Sequence, residues 1–144
     1  MVEVKKQMRQ ITEIIIHCSA TREGQDISVD TIKKWHVDGR GWSDIGYHFY
    51  IDGHGDIYKG RDISKTGAHC KGHNRYSIGV CYCGGVEVDG KTPKDTRTDE
   101  QKEALLSVLK TMKAMYPEAI IYSHNEFANK ACPSFDATNE YKNI

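Results

Sequence analysis

The sequence predicts a single α/β domain over residues 1–144, with a mixed central sheet of about five strands flanked by two or three helices. Three observations carry this. Five short segments are rich in β-branched and aromatic residues. Between and after them lie segments whose apolar residues recur at helical spacing. The 144 residues hold no internal repeat, low-complexity tract or linker, and that length suits one domain.

Ile11 to Cys18 reads as the first strand. Its unbroken apolar run, Ile14-Ile15-Ile16, suits a central strand covered on both faces. Ser28 can cap a helix reaching about Val37, with Val29, Ile32 and Trp35 in one stripe and Gly39 as its stop. Gly46 to Asp52 and Asp56 to Lys59 read as a hairpin around the turn Asp52-Gly53-His54-Gly55. Ser77 to Cys83 is another apolar strand, ended by Gly84-Gly85. Along it Cys81 and Cys83 alternate toward the same side, as small buried residues. Val86 to Arg97 is polar and reads as a surface loop. Thr98 opens the clearest helix, forming a capping box with Gln101. Its stripe is Leu105, Val108, Leu109, Met112 and Tyr116, and Pro117 ends it. Ala119 to Tyr122 is a short strand, and a last helix follows Phe135.

Composition narrows the function. Twenty basic and twenty acidic side chains cancel, so nothing suggests the phosphate neutralisation that drives nucleic-acid binding. No apolar run approaches the roughly 18 residues of a membrane span, so no membrane insertion is expected. The first ten residues are basic without an apolar segment after them, and read as no secretory signal. Synthesis in the cytoplasm is therefore expected. Five cysteines cannot all pair, so reduced thiols are expected, with any special one acting as a metal ligand or nucleophile.

A catalytic zinc site needs three protein ligands, preferably imidazole nitrogen and thiolate sulfur, and an open position for water. His17 stands at the end of the first strand, His124 follows the strand ending at Tyr122, and Cys132 lies eight residues later. If the two strands are neighbours, these three converge. By spacing alone, two polar strand-end residues and a buried thiol are the better reading. A second group, His69, Cys70 and His73, sits in a Gly-flanked loop. A His-x-x-x-His pair needs helical backbone to converge, and Gly67 and Gly72 oppose it. Taken alone, Tyr47 reads as a core aromatic and Lys130 as a solvated lysine. His36 and His48 read as structural, and His54 as an exposed turn residue.

Several segments together carry a family resemblance. They are His17-Cys18-Ser19-Ala20-Thr21, Trp35-His36, Gly41-Trp42 with Asp44, and Gly46-Tyr47-His48-Phe49. Gly60-Arg61-Asp62, His69 with Lys71-Gly72 and Asn74, and Ser77-Ile78-Gly79-Val80-Cys81 with Gly84-Gly85 follow. The last are His124 with Glu126, and Lys130-Ala131-Cys132-Pro133-Ser134-Phe135-Asp136. In this order they resemble the zinc-dependent N-acetylmuramoyl-L-alanine amidases, which include phage amidase-type lysozymes and animal peptidoglycan recognition proteins.

The resemblance implies hydrolysis of the amide bond between N-acetylmuramic acid and L-alanine in bacterial peptidoglycan. It implies Zn2+ held by His17, His124 and Cys132, catalytic roles for Tyr47 and Lys130, and a substrate contact at His69. The setting it implies is a phage or prophage endolysin, working as a monomer and reaching the cell wall after release. Two other readings stand beside it. One is a peptidoglycan-binding module of the same fold without activity. The other is a glycosidase with two carboxylates about 5–9.5 Å apart.

Overall fold

The computed structural model describes residues 9–144; residues 1–8, most of the stretch read above as no secretory signal, lie outside them. The central sheet has five strands: β1 (Glu13–Cys18), β3 (Phe49–Ile51), β4 (Ile57–Lys59), β5 (Ser77–Tyr82) and β7 (Ile120–Ser123). Their order is β4-β3-β5-β1-β7. β1 is an interior strand, parallel to β5 on one side and to the edge strand β7 on the other. β3 is parallel to β5, and only the β3–β4 hairpin is antiparallel, so the sheet is mixed as expected. A small second sheet pairs β2 (Thr21–Arg22) with β6 (Gly85–Val86).

Side-chain alternation sorts the sheet into two faces. Ile14, Ile16, Cys18, Ile78, Val80 and Tyr82 pack with Leu105, Val108, Leu109 and Met112 in the main core. Those last four belong to α2 (Asp99–Met115), which starts at the expected capping box of Thr98 and Gln101. The opposite face carries Tyr50, Cys81 and Cys83 under Ile32 of α1 (Val29–Lys34), whose N-cap is Ser28. Residues 14–18 are all buried, as a strand covered on both faces requires. α3 (Ala137–Glu140) follows Phe135, giving three α-helices among the described residues. No helix among the described residues is long and apolar enough to cross a membrane.

Three expectations need correction. The stripe Val29–Ile32–Trp35 does not continue inward: Trp35 is 46 % exposed and His36 is buried instead. The cause is a π-helical turn over Trp35–Gly39, whose extra residue rotates the inward face by one position. The strand expected from Gly46 begins only at Phe49. The preceding backbone bonds elsewhere: the Gly46 N–H donates to His36 Nδ1, and the Tyr47 carbonyl accepts from the Arg61 N–H. Finally, Val86 to Arg97 is not wholly a surface loop. Val86 belongs to β6, and Thr96 and Arg97 are buried.

Candidate metal centre and cleft

β1 and β7 run parallel and end on the same side, so the residues leaving their carboxyl ends meet there. His17 is the fifth residue of β1 and projects from the α1 face, opposite the main core. His124 opens a short 3-10 turn directly after β7. Cys132 arrives from the irregular segment between that turn and α3. Their ligand atoms all lie within 4.8 Å of one another, the one such group of histidine, cysteine and carboxylate residues among the described residues.

These distances fit a metal ion. His17 Nδ1 and His124 Nδ1 are 3.1 Å apart, and Cys132 Sγ is 4.0 Å from His17 Nδ1. A tetrahedral zinc with bonds of about 2.0–2.3 Å spaces its ligand atoms roughly 3.3–3.6 Å apart. Protonation agrees. Burial, followed by the charges around them, pushes both imidazoles below their ordinary range, so each stays neutral and keeps a lone pair. The adjoining Cys18 thiol and burial push the Cys132 thiol up, so ionising it there requires a cation at its side. The Cys18 backbone N–H already points at that sulfur from 3.1 Å.

The trio lies in a cleft of about 650 Å³. Tyr47 is partly buried beside it, its ring centroid 5.1 Å from that of His17. Its hydroxyl meets the Cys81 thiol, and burial raises the phenol well above its usual value. Lys130 is exposed at the rim, where its charge adds to the lowering of both histidines. His69 also lines the cleft and touches His17. Reading the residues singly missed Arg40 and Phe127, which line the wall as well. Arg40 lies 5.2 Å above the Trp42 ring, an arrangement that spacing along the chain does not reveal.

The other expectations resolve simply. Cys70 and His73 do not join a second metal group: His73 bonds Glu13 at 2.9 Å and stacks on Phe127 at 3.8 Å. His36 accepts from the Gly46 N–H, and His48 Nδ1 accepts from the Gly79 N–H, so both are structural bridges. Burial lowers His48 to about 4, which keeps it neutral for that task. His54 is exposed beside Asp26. No aspartate or glutamate lines the cleft among the described residues, so a glycosidase's carboxylate pair has no place in it.

Comparisons with known proteins identify the family. Residues 7–135 match the family model described as N-acetylmuramoyl-L-alanine amidase. The chain is 44% identical over 137 residues to the endolysin of Escherichia phage T7, covering 94% of this chain and 89% of that one. It is 43% identical, with the same coverage, to the endolysin of Enterobacteria phage K11. Among solved structures it resembles the N-acetylmuramoyl-L-alanine amidase LysC from Clostridium intestinale, with a TM-score of 0.75 and 25% identity over 92% of this chain and 82% of that chain. The match spans nearly the whole domain, and the chain belongs to the N-acetylmuramoyl-L-alanine amidase family.

Proposed function

We propose that this amidase cleaves the bond between N-acetylmuramic acid and L-alanine with a zinc ion held by His17, His124 and Cys132, in the setting of a phage or prophage endolysin. The observation that carries the reading is the convergence of those three ligand atoms within 4.8 Å on the floor of a cleft free of carboxylates. Zinc in that position supplies Lewis acidity, lowering the pKa of a water to about 7 and polarising the amide carbonyl.

The chain's own groups do the rest. Amide hydrolysis develops negative charge on the carbonyl oxygen, and an ammonium at the rim favours that charge over the neutral ground state. Lys130 fills this part. Tyr47 helps to orient the attacking water or to move its proton, and it shares the proton steps with Lys130. His69 borders the substrate through its ring carbons. Both of its nitrogens already have partners. Arg40, Lys71 and Lys130 give the cleft an excess of positive charge on a chain of zero formal net charge, which suits a substrate bearing carboxylates.

The decisive experiment is mass spectrometry of purified muropeptides after digestion, with and without a chelator. The expected products are a free L-alanine amino group and a lactyl-bearing sugar, lost with the chelator and restored by zinc. New reducing ends would mean a glycosidase. Binding without any product would mean a recognition module, and either result would overturn the reading.

A further inference from the structure

The histidines at the site form a chain that runs from the cleft into the sheet. His17 Nδ1 faces the metal position, and its other nitrogen, Nε2, lies 2.8 Å from His69 Nδ1. His69 Nε2 in turn lies 3.1 Å from Ser77 Oγ. Ser77 is fully buried at the start of β5 and cannot move without the sheet.

Such a chain has two polarities. In one, Ser77 donates to His69, His69 donates to His17 Nε2, and the proton of His17 is left on Nδ1, where it blocks a metal. In the other, His17 Nε2–H donates to His69 Nδ1, and His69 Nε2–H donates to Ser77. The Nδ1 lone pair of His17 is then free. Only the second is compatible with a ligand at Nδ1.

The fold reserves room for this arrangement. A Cβ at Gly79, on central strand β5, would meet His69 Cγ at 2.6 Å and Nδ1 at 2.8 Å. A Cβ at Gly67 would meet His69 Cδ2 at 2.8 Å. The main chain of the loop is pinned as well, because the N–H groups of His69 and Cys70 both donate to Asn74 Oδ1 at 2.9 Å. The imidazole is therefore set in a slot cut for it, with its acceptor turned toward His17.

We propose that His69 is a positioning residue for the metal site: it accepts the Nε2 proton of His17, fixes the tautomer that frees Nδ1, and is itself held by Ser77. Metal-bound histidines commonly donate their second N–H to a carboxylate, carbonyl or water. Here a neutral imidazole takes that part, in a cleft with no carboxylate among the described residues. The inference rests on the zinc reading above and deepens it.

The test is zinc affinity, measured by competition with a chromophoric chelator on the wild type, His69→Leu, His69→Asn and Ser77→Ala, with circular dichroism as the control for folding. His69→Leu keeps bulk but removes the acceptor, and should bind zinc about 10- to 100-fold more weakly. His69→Asn offers an amide oxygen near the position of Nδ1 and should recover most of that loss. Ser77→Ala should weaken zinc in the same direction by less. Nitrogen-15 spectra of the zinc-loaded protein give a second readout. The His17 Nε2–H should be protected in the wild type and in His69→Asn, and should exchange rapidly in His69→Leu. Equal affinity in His69→Leu and the wild type would overturn the role of His69 while leaving the zinc site standing. Equal losses in the Leu and Asn variants would overturn it too, because ring shape rather than the acceptor would then matter. A wild type with no affinity for zinc would overturn the metal reading, and this inference with it.

Discussion

His17 and Cys132 reach the same point by opposite routes. His17 rises from the interior strand β1, whose backbone is laddered on both sides and whose residues 14–18 are all buried. Cys132 hangs from a segment without regular structure, held by individual hydrogen bonds. Tyr82 donates its hydroxyl to the Pro133 carbonyl at 2.6 Å, Ser134 Oγ donates to the Gly85 carbonyl at 2.7 Å, and the Ala137 N–H donates to Ser123 Oγ at 2.7 Å. Ser134 adopts a φ of 69°, an uncommon conformation for a non-glycine residue that those bonds must sustain. One half of the site inherits its position from the sheet, and the other half from a few side chains. Damage to the two halves should therefore look different.

The largest effect belongs to the sheet side. Leu109 is fully buried where α2 meets the sheet, so Leu109→Ala should cost about 2–5 kcal/mol of stability. Zinc affinity and turnover of the molecules still folded should hardly change, because the strands move as one body. Thermal melts set beside zinc titrations check this. A selective loss of zinc at full stability would show that the strand-borne ligand is not rigidly placed.

The loop side should show the reverse pattern. Lys130 is exposed, so Lys130→Ala should keep its fold, its melting temperature and its zinc. Removing a group that stabilises a developing oxyanion typically lowers turnover about 100- to 1,000-fold. Near-normal cleavage of muropeptides by this variant would remove Lys130 from the mechanism. An intermediate case is Tyr82→Phe, which strands the buried Pro133 carbonyl at a cost of about 1–3 kcal/mol. Because that bond anchors the residue after Cys132, zinc should also leave faster, in contrast to Leu109→Ala. Stopped-flow zinc release from both variants makes the comparison direct.

The same division explains what the sequence made legible. β1, β5, β7 and α2 announce themselves through apolar runs, helical spacing and the Thr98 capping box, because local pattern and tertiary role coincide there. His17 and His124 could be placed at strand ends for that reason. That β1 and β7 are neighbours was a condition, not a reading, since parallel pairing leaves no local mark. Cys132 carried only a weak signal, its spacing from His124, and Lys130 and Tyr47 were legible only through resemblance. The π-turn at Trp35–Gly39 was hidden because the bond that accompanies it, from the Gly46 N–H to His36, joins residues ten apart along the chain. Arg97 was read as a loop residue because its partner Glu140 lies 43 positions further on.

That Arg97 cluster supplies the smallest effect, and it tests how the loop side is tied down. The guanidinium is buried and pairs with Asp95 at 2.8 Å and with Glu140 at 2.9 Å, and it lies 3.4 Å from the centre of the Phe135 ring. It thereby clamps the segment after Cys132 to the one before α2. Arg97's hydrogen bonds hold the Glu140 carboxyl below its usual range. For Asp95, burial pulls the other way, and Arg97's bonds and charge outweigh it. Both carboxyls are thus lowered on folding. Their contribution to stability is present above the unfolded values, near pH 4, and is lost as pH falls through the lower folded values. Both are partly exposed, so screening limits each pair to about 0.2–1 kcal/mol. In a chelator, which removes any competition between protons and metal, the melting temperature should begin to fall below about pH 6.5, where the unfolded chain protonates histidines that burial keeps neutral in the fold, and the two carboxyls should steepen the fall below about pH 5. Glu140→Gln should melt slightly lower at neutral pH and lose less on acidification, since it has one fewer carboxylate to protonate. Identical slopes for the two proteins between pH 5 and 3 would show that the clamp contributes nothing through charge, leaving the loop to Tyr82, Ser134 and Ser123 alone.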